Sequence, residues 1–518
     1  MKSPKFDTLF TQSLVADSVI ENYIRSVPNA HFSFVTPKKV TAPKLLHIAT
    51  ETADILGLDS AFLASETFKN IFSGNEIGTN SKPYAMNYAG HQFGQWAGQL
   101  GDGRAINLGE INGWAIQLKG AGPTPYSRRG DGFAVLRSSI REHLCSEAMY
   151  HLGVPTTRSL ALLETGEQVV RDVLYDGNPA LEKGAIVCRV APSFIRFGNF
   201  ELFSAQNDLE NLKKLTDFVI STYFSAITDN GKTKYLQFFK HVCESTQQLI
   251  IEWQRVGFVH GVMNTDNMSI HGITIDYGPY GWLEDYNPDW TPNTTDHQHK
   301  RYRFGNQGDI ALWNLYQLAN ALYPLIEDAA ALETILHNFA TSYSLAYTKM
   351  MCQKLGLAEI LENDEDLVNQ LTSNLALQET DMTIFFRLLS TIRQEETAEE
   401  AYDKITPSFY SLEQTTENTL KKWHTWFVNY LNRLLINKVT DTHRKKAMDR
   451  VNPKYVLRNY MAQLAIEEAE KGNLALLNEL HALLKKPYDE QPEYEKWFIK
   501  RPDWARTKIG CSMLSCSS

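Results

Sequence analysis

The chain has 518 residues, and its 51 basic and 60 acidic side chains leave a net charge of −9. Apolar residues make up 43% of the sequence and charged residues 21%, which is typical of a globular protein, and the length calls for more than one core. The acidic balance and the absence of both a long basic run and an apolar stretch of about 20 residues argue against nucleic acid or a membrane as a main partner.

The N-terminal segment carries no apolar signal region and no arginine-rich presequence, so we expect a cytoplasmic protein. After short predicted helices and loops, a glycine-rich turn follows at Gly101-Asp-Gly103-Arg104, and an alternating strand is predicted at 105–111. A second strand, Trp114-Ala-Ile-Gln-Leu-Lys119, ends on a lysine. Glycines let backbone amides approach phosphates, and a strand lysine adds a fixed positive charge. The two strands therefore suggest a nucleotide site, although a glycine turn alone is also common in ordinary loops.

A helix is predicted at 134–152, because apolar residues recur there every four positions before Gly153. Glu142 lies on this helix away from the apolar line. A kinase uses such a helix to bring a glutamate to the strand lysine, so we expect Glu142 to pair with Lys119, with Glu147 as the alternative. Read by itself, Glu142 would be a solvated helix charge.

A hairpin is predicted where two apolar runs, 268–270 and 273–275, flank the dipeptide His271-Gly272. In the tightest register residue 270 faces 273, residue 268 faces 275 and Asn267 faces Asp276. Directly opposed side chains lie about 5 Å apart, so an amide and a carboxylate oxygen would be positioned to hold one Mg²⁺ with bound phosphates. An ordinary turn is the alternative for this segment alone.

The catalytic base of a kinase is missing from its usual position. A kinase places an Asp five residues before the metal-binding Asn, where it accepts the proton of the substrate hydroxyl. Here that position is Val262, which cannot take a proton. The sequence therefore allows two interpretations, an inactive kinase or a kinase fold with different chemistry.

Beyond about residue 200 the apolar spacing becomes helical. The predicted helices are 211–224, 234–256, 309–322, 327–351, 381–391, 417–435, 453–471 and 474–484. The polar segment 279–308 is predicted to be a long loop without regular structure, at the place of a kinase activation segment. Its Asp296-His-Gln-His299 run is a poor candidate for a transition-metal site, since two histidines on a loop bring no further ligand.

Longer motifs accompany this layout through most of the chain: Tyr88-Ala-Gly-His-Gln-Phe-Gly94, Leu118-Lys-Gly-Ala-Gly122, Tyr126-Ser-Arg-Arg-Gly-Asp131-Gly132, Val135-Leu-Arg-Ser-Ser-Ile-Arg-Glu142, His260-Gly-Val-Met-Asn-Thr-Asp-Asn267 and Asp276-Tyr-Gly-Pro. On these motifs the sequence resembles bacterial members of the selenoprotein O (YdiU) family of protein nucleotidyltransferases. The resemblance implies an α+β, protein-kinase-like (pseudokinase) bilobal fold. We expect an N-terminal extension at 1–80, a strand-containing small lobe at 81–200, a large helical lobe at 201–350 and a helical C-terminal extension at 351–518.

The resemblance also implies an activity. Members bind ATP in a flipped orientation and transfer AMP to Ser, Thr or Tyr hydroxyls of proteins, themselves included, with Mg²⁺; bacterial members also transfer UMP from UTP with Mn²⁺. By motif position, Asp266 is the catalytic residue, and Asn267 and Asp276 are the metal ligands. The positions implied to bind nucleotide are Gly101, Gly103, Arg104, Lys119, Asp131, Gly132, Glu142, Arg189, Arg196 and Asp276.

This assignment agrees with the residue types. A flipped nucleotide would place its β- and γ-phosphates against Lys119 and the arginines, whose planar guanidinium groups suit an oligophosphate. The α-phosphorus would then face the incoming hydroxyl, and pyrophosphate would leave. Without the motif, Arg189 or Arg196 would be read as a surface ion pair.

Six cysteines show no zinc-binding spacing. Four of them, Cys145, Cys188, Cys243 and Cys352, are interpreted as small buried side chains. Cys516 occupies the place where some family members carry selenocysteine, and Cys511 precedes it. In other members a disulfide is thought to join this tail to the activation segment, but residues 279–308 contain no cysteine. A Cys511–Cys516 bridge, an intermolecular bond and an idle tail all remain open.

Three function classes remain at this point: transfer of AMP or UMP to proteins, phosphoryl transfer, and a nucleotide-sensing scaffold without chemistry. The motifs favour the first. Val262 opposes the second, and a complete set of Lys119, Glu142, Asn267 and Asp276 opposes the third.

Overall fold

The sheet that carries the strand lysine is formed by the first 191 residues. The computed structural model describes residues 3–173, 175–413, 415–511 and 513–515. The strands are β1 (Phe32–Phe34), β2 (Lys44–Ile48), β3 (Tyr84–Met86), β4 (Ala89–Gln92), β5 (Gln95–Gln99), β6 (Ala105–Ile111), β7 (Trp114–Lys119), β8 (Ala134–Val135), β9 (Arg158–Arg171), β10 (Ala180–Ala191), β11 (Phe258–Val259) and β12 (Gly281–Trp282).

The main sheet is antiparallel, with the strand order β1-β3-β6-β7-β10-β9-β2 and with β8 paired to β10. Alternation along β7 gives its two faces different roles. Ile116 and Leu118 face a core shared with the N-terminal helices. Gln117 and Lys119 are therefore turned to the opposite face. On β10, Arg189 lies directly opposite Gln117 in the ladder and shares that face.

The helices are α1 (Leu9–Ser13), α2 (Thr50–Ile55), α3 (Ser60–Leu63), α4 (Glu66–Phe72), α5 (Leu136–His151), α6 (Phe197–Ala205), α7 (Leu209–Tyr223), α8 (Gly231–Val256), α9 (Gln307–Ile326), α10 (Ala329–Lys354), α11 (Asp364–Leu375), α12 (Met382–Leu389), α13 (Ala398–Ile405), α14 (Glu417–Ile436), α15 (Asp441–Val451), α16 (Asn459–Glu470) and α17 (Ala475–Leu484). Strands thus dominate the first part of the chain and helices the rest, which makes this a mixed protein of the α+β type. Helices α6, α11, α13 and α15 were not among the predicted ones.

Helix α5 is the predicted helix, confirmed with its start moved by two residues. Ala134 and Val135 form β8 on the edge of β10 instead of the first helical turn. The helix is followed by Gly153, whose φ of 76° only glycine adopts without strain. Its charged residues are buried as well as its apolar ones, and Glu142 is 2% exposed. The reading of Glu142 as a solvated charge was therefore wrong.

The hairpin register predicted for residues 267–276 was wrong by one residue. Met268 pairs with Thr274, and not with residue 275. Each arm is also held from outside the hairpin, because Ser269 forms a bridge with Arg196 and Thr274 forms a bridge with Thr156. These outside pairings, which local sequence does not contain, decide the register.

The segment 279–308 has more structure than predicted. It contains β12, which pairs with β11, and two short 3₁₀ turns. The side chains of Trp282 and Tyr302 are almost fully buried in it. The carboxylate of Asp296 accepts the backbone N–H groups of Arg301 and Tyr302 at 2.9 and 2.7 Å. The prediction of a loop without regular structure was therefore wrong, because aromatic residues anchor the segment to the helical part.

Cys145, Cys188, Cys243 and Cys352 are buried free thiols, as predicted, and Cys511 is buried as well. Cys516 lies outside the described residues, so the three alternatives for the cysteine tail stay open. Across the ranges that the structure describes, no helix has both the length and the apolar character needed to cross a bilayer.

Candidate functional site

A cavity of about 810 Å³ opens between the sheet, the glycine turn and the hairpin arms. It brings together residues that are far apart in the chain. Of the predicted site residues, those that line it are Gly101, Gly103, Arg104, Lys119, Asp131, Gly132, Arg189, Arg196, Asp266, Asn267 and Asp276. Glu142 is the exception, and it is linked to the cavity through Lys119 and Arg189.

The glycine turn is shaped by its packing against residues 124–127. A Cβ on Gly101 would lie 2.3 Å from the ring of Tyr126, and one on Gly103 would lie 3.0 Å from the carbonyl oxygen of Tyr126. Between the two glycines, the carboxylate of Asp102 accepts the backbone N–H of Met86 at 3.0 Å and the amide of Asn107 at 3.1 Å. The turn is therefore rigid, and its backbone forms one wall of the cavity.

The strand lysine lies at the centre of a buried charge cluster. Lys119 Nζ is 2.7 Å from Glu142 Oε2 and 2.5 Å from Asp276 Oδ1. The ion pair predicted between Lys119 and Glu142 is thus present. The alternative partner, Glu147, instead binds Arg158 at 2.6 Å. Glu142 binds the lysine from outside the cavity lining, and Asp276 binds it from within the lining.

Arg189 completes this cluster from the neighbouring strand. Its Nη1 lies 3.0 Å from Glu142 Oε1 and 3.1 Å from Asp276 Oδ1, and its Nε donates to Gln117 Oε1 at 3.1 Å. The guanidinium is only 2% exposed, and all three of its nitrogens bond protein acceptors. Arg189 therefore positions the two carboxylates in this structure, and a nucleotide would have to compete for its donors.

Asp276 is held in its charged form. Burial alone would raise the pKa of this carboxyl, but the positive charges of Lys119, Arg189 and Arg196 outweigh burial and hold the pKa well below its usual range. Asn267 also lines the cavity, and its side-chain N–H donates to the backbone carbonyl of Val262 at 2.9 Å. This bond engages the amide nitrogen, and the amide oxygen has no hydrogen-bond partner among the residues that the structure describes.

Asp266 has the opposite electrostatic character. It is 8% exposed, and burial raises its pKa to about 6, although the charge of Arg196 and a hydrogen bond from Gln92 act to lower it. Its Oδ2 accepts Gln92 Nε2 at 3.1 Å. Its Oδ1 is buried and has no partner within the described part of the chain. A carboxylate that titrates near neutral pH and has a free oxygen is suited to accept a proton.

The loop that carries Asp266 is held by two other segments. Arg196 Nη1 donates to the backbone carbonyl of Asp266 at 2.7 Å. The β4 strand packs so closely that a Cβ on Gly90 would lie 3.2 Å from the Cβ of Asp266. On the same strand the backbone N–H of His91 donates to Thr265 Oγ1 at 2.8 Å. These contacts fix Asp266 in the cavity wall.

Sequence reasoning missed Gln92 and the side chain of Asp102. Gln92 lies within the motif 88–94, which was noted without a role for any residue in it. Reasoning from the sequence also assigned no role to Arg128 and Arg129, which lie in the motif 126–132. Together with Arg104 they line the cavity, and none of the three has an ion-pair partner among the described residues. A short run of neighbouring arginines on a glycine-rich loop could have indicated anion binding.

Asp131 is engaged at the mouth of the cavity. Arg171 binds its two carboxylate oxygens at 2.7 and 2.9 Å. Burial would raise the pKa of Asp131, but the bonds from Arg171 outweigh it and lower the pKa. Gly132 has a φ of +80°, and a Cβ there would lie 2.2 Å from the nitrogen of Pro123. Whether Asp131 contacts a nucleotide stays a prediction.

The oxygen donors present suit a divalent cation. Mg²⁺ and Mn²⁺ prefer carboxylate and amide oxygens, and the cavity offers the charged carboxylate of Asp276 and the amide oxygen of Asn267. Around His297 and His299, by contrast, the described residues form no group of three potential metal ligands. A glycine turn, arginines without an ion-pair partner among the described residues, and two oxygen donors make this cavity suited to a nucleoside triphosphate with a divalent cation.

The sequence of this chain is similar to those of known protein nucleotidyltransferases. Residues 15–485 match the sequence model of a family described as protein adenylyltransferase SelO. The chain is 59% identical to a protein nucleotidyltransferase YdiU of Flavobacterium johnsoniae, with 100% of each chain covered. Identity to the proteins of the same name in Rhodopirellula baltica and an Azoarcus species is 51% and 50%, with at least 99% of each chain covered. The chain belongs to the SelO family.

Proposed function

We propose that this protein transfers AMP from ATP to hydroxyl groups of Ser, Thr or Tyr in proteins, itself included, and releases pyrophosphate. Membership of the SelO family makes the chain a protein nucleotidyltransferase. The observation that carries the proposal for this particular cavity is Asp266, whose pKa is raised to about 6 and whose Oδ1 is free. It supplies a proton acceptor where the kinase position, Val262, cannot.

The reaction balances without a further reactant. The acceptor hydroxyl oxygen forms a bond to the α-phosphorus, the bond from that phosphorus to the bridging oxygen of the β-phosphate breaks, and the bonding pair leaves with pyrophosphate. Asp266 takes the hydroxyl proton at Oδ1. Arg196 and Gln92 hold that carboxylate in place through the contacts described above.

In this proposal the basic side chains of the cavity bind the phosphates of the nucleotide. Arg104, Arg128 and Arg129 have no ion-pair partner among the described residues and are available to the β- and γ-phosphates of a flipped nucleotide. Lys119 contributes a further charge, held in place by Glu142. Asn267 and Asp276 would hold Mg²⁺ or Mn²⁺. When bound, the ion neutralises charge that develops on the leaving pyrophosphate.

We also propose a bilobal, protein-kinase-like fold. The antiparallel sheet with helix α5, which delivers Glu142 to Lys119, supports a kinase-like small lobe at 81–200, and the helical part supports a large lobe at 201–350. Residues 1–80 and 351–518 would be extensions. A cytoplasmic location, where ATP is the abundant nucleotide, is part of the proposal.

Phosphoryl transfer is the second candidate, because Lys119, Glu142, Asn267 and Asp276 also form the set that a kinase requires. The two functions differ in which phosphorus reaches the acceptor. Incubation with Mg²⁺ and ATP labelled at the α- or the γ-phosphate should incorporate only the α-label into protein, with a mass gain of AMP at each site.

Asp266→Ala should slow this transfer while ATP still binds, whereas Asp229→Asn, a change at an exposed aspartate outside the cavity, should leave it unaltered. Label from γ alone would establish phosphoryl transfer instead. Tight ATP binding without any incorporation would establish a scaffold. Parallel reactions with UTP and Mn²⁺ measure the preference between AMP and UMP transfer.

A further inference from the structure

Three histidine side chains from distant parts of the chain converge outside the cavity. His47 lies on β2, His143 on α5 and His481 on α17. The Nδ1 of His47 lies 2.8 Å from the Nε2 of His143, and one ring nitrogen of each histidine lies within 4.8 Å of the other two. Throughout the described ranges, this is the one group in which three or more potential metal ligands come together.

The spacing suits a tetrahedral metal ion. Zinc–nitrogen bonds of about 2.0–2.1 Å keep the ligand nitrogens of a tetrahedral site about 3.4 Å apart. The observed separations, from 2.8 Å up to at most 4.8 Å, bracket this value. Small side-chain rotations therefore bring all three nitrogens to one ion. No fourth Cys, Asp or Glu joins the group among the described residues, which leaves one position for water.

One ring nitrogen of the cluster lacks a hydrogen-bond partner among the described residues, and a bound ion would supply one. His143 Nδ1 lies 2.6 Å from Ser159 Oγ, the kind of outer contact that orients a metal-bound imidazole. The Nε2 of His481 is buried and has no partner within the described part of the chain. An unpaired buried ring nitrogen costs free energy, which a bound ion would recover.

Two cationic side chains near the cluster are each paired with a carboxylate. Lys485 is paired with Glu51 at 2.5 Å, and Arg158 is paired with Glu147 at 2.6 Å.

We propose that His47, His143 and His481 bind one transition metal ion of the zinc class, with water as the fourth ligand. The ion ties the C-terminal helix α17 to β2 and to α5. Glu142, which binds Lys119, directly precedes His143 on α5. The same ion would therefore stabilise the helix that positions Lys119. This site is separate from the cavity residues and does not depend on the proposed transfer activity.

The test uses the full-length protein, loaded with a small excess of Zn²⁺ in the presence of Mg²⁺ and ATP and then desalted. Bound zinc is measured by plasma mass spectrometry. The wild-type protein should retain one equivalent more than His481→Ala or His47→Ala. His337→Ala, a change at an exposed histidine on α10, should retain the wild-type amount. His481→Cys, which restores a zinc ligand, should recover the equivalent.

Two further measurements separate this site from the cavity. Zn²⁺ should raise the thermal midpoint of the wild type and of Asp276→Ala but not that of His481→Ala, with circular dichroism confirming that each variant is folded. Co²⁺ should give the intense visible bands of tetrahedral coordination, and these should be lost in His481→Ala. The proposal is overturned if wild type and His481→Ala retain equal zinc, or if Asp276→Ala is the variant that loses it.

Discussion

Replacing Asp266 with asparagine should stabilise the protein at neutral pH while it abolishes transfer. The pKa of Asp266 is raised from 3.8 to about 6 in the folded state. The folded state therefore favours the protonated form, and the stability from that form is fully present below pH 3.8 and is lost as the pH rises through about 6. Above that range the wild-type protein carries an ionised carboxylate in a site that disfavours it.

The size of the effect follows from the shift. About two pKa units at 1.36 kcal/mol each correspond to about 3 kcal/mol, which the neutral, isosteric asparagine would recover. Unfolding entropy of about 2.1 cal/mol/K per residue over 518 residues converts this into a rise of about 3 °C in the thermal midpoint. The rise should be largest near about pH 8 and should shrink towards about pH 4.

Asp276→Asn is the matched comparison in the same cavity. Lys119 and Arg189 hold the pKa of Asp276 well below 3.8 against the effect of burial. The charged carboxylate therefore stabilises the folded state at pH values above the unfolded pKa, and this stabilisation is lost as the pH falls through the folded pKa. This variant should therefore be less stable than wild type at neutral pH. Thermal midpoints without nucleotide, measured across the pH range, check both signs. A lower midpoint for Asp266→Asn near about pH 8, or a difference that does not change with pH, would refute the electrostatic reasoning.

Three further changes test the contacts around these carboxylates. Gln92→Ala removes a hydrogen bond that lowers the pKa of Asp266, so the acid limb of the kcat/KM profile, expected near pH 6, should move to higher pH by up to about one unit; an unmoved limb would contradict the role of Gln92. Glu142→Gln removes a charged partner of Lys119 and should weaken ATP binding by about ten- to a hundredfold, measured by titration calorimetry. Asp276→Ala should abolish metal-dependent nucleotide binding, and full activity in that variant would exclude Asp276 as a ligand.

Features set by local sequence could be predicted. The apolar repeat that ends at Gly153 predicted helix α5, and the run that ends on Lys119 predicted strand β7. Together these two elements were enough to predict the ion pair with Glu142. Membership of the family was equally accessible, because its motifs are long and contiguous.

Features set by tertiary contacts could not be predicted. The hairpin register depends on bridges to Arg196 and Thr156, which lie 73 and 118 residues from their partners Ser269 and Thr274. The bond from Gln92 to Asp266 spans 174 residues. The histidine cluster joins residues 47, 143 and 481, so no spacing rule for metal ligands would find it. In each case the partner is chosen by the packing of elements rather than by the neighbouring sequence.

The two carboxylates of the cavity show how one site can supply both a charge and a base. Asp276 touches Lys119 and Arg189 directly, and their charges hold its pKa well below the usual range. Asp266 meets only the amide of Gln92 and a more distant arginine charge, so burial dominates and its pKa rises to about 6. Environments that push two pKa values apart assign the roles of the two groups. The residue that remains charged is the one suited to a metal ion, and the residue that titrates is the one suited to take a proton from the acceptor hydroxyl.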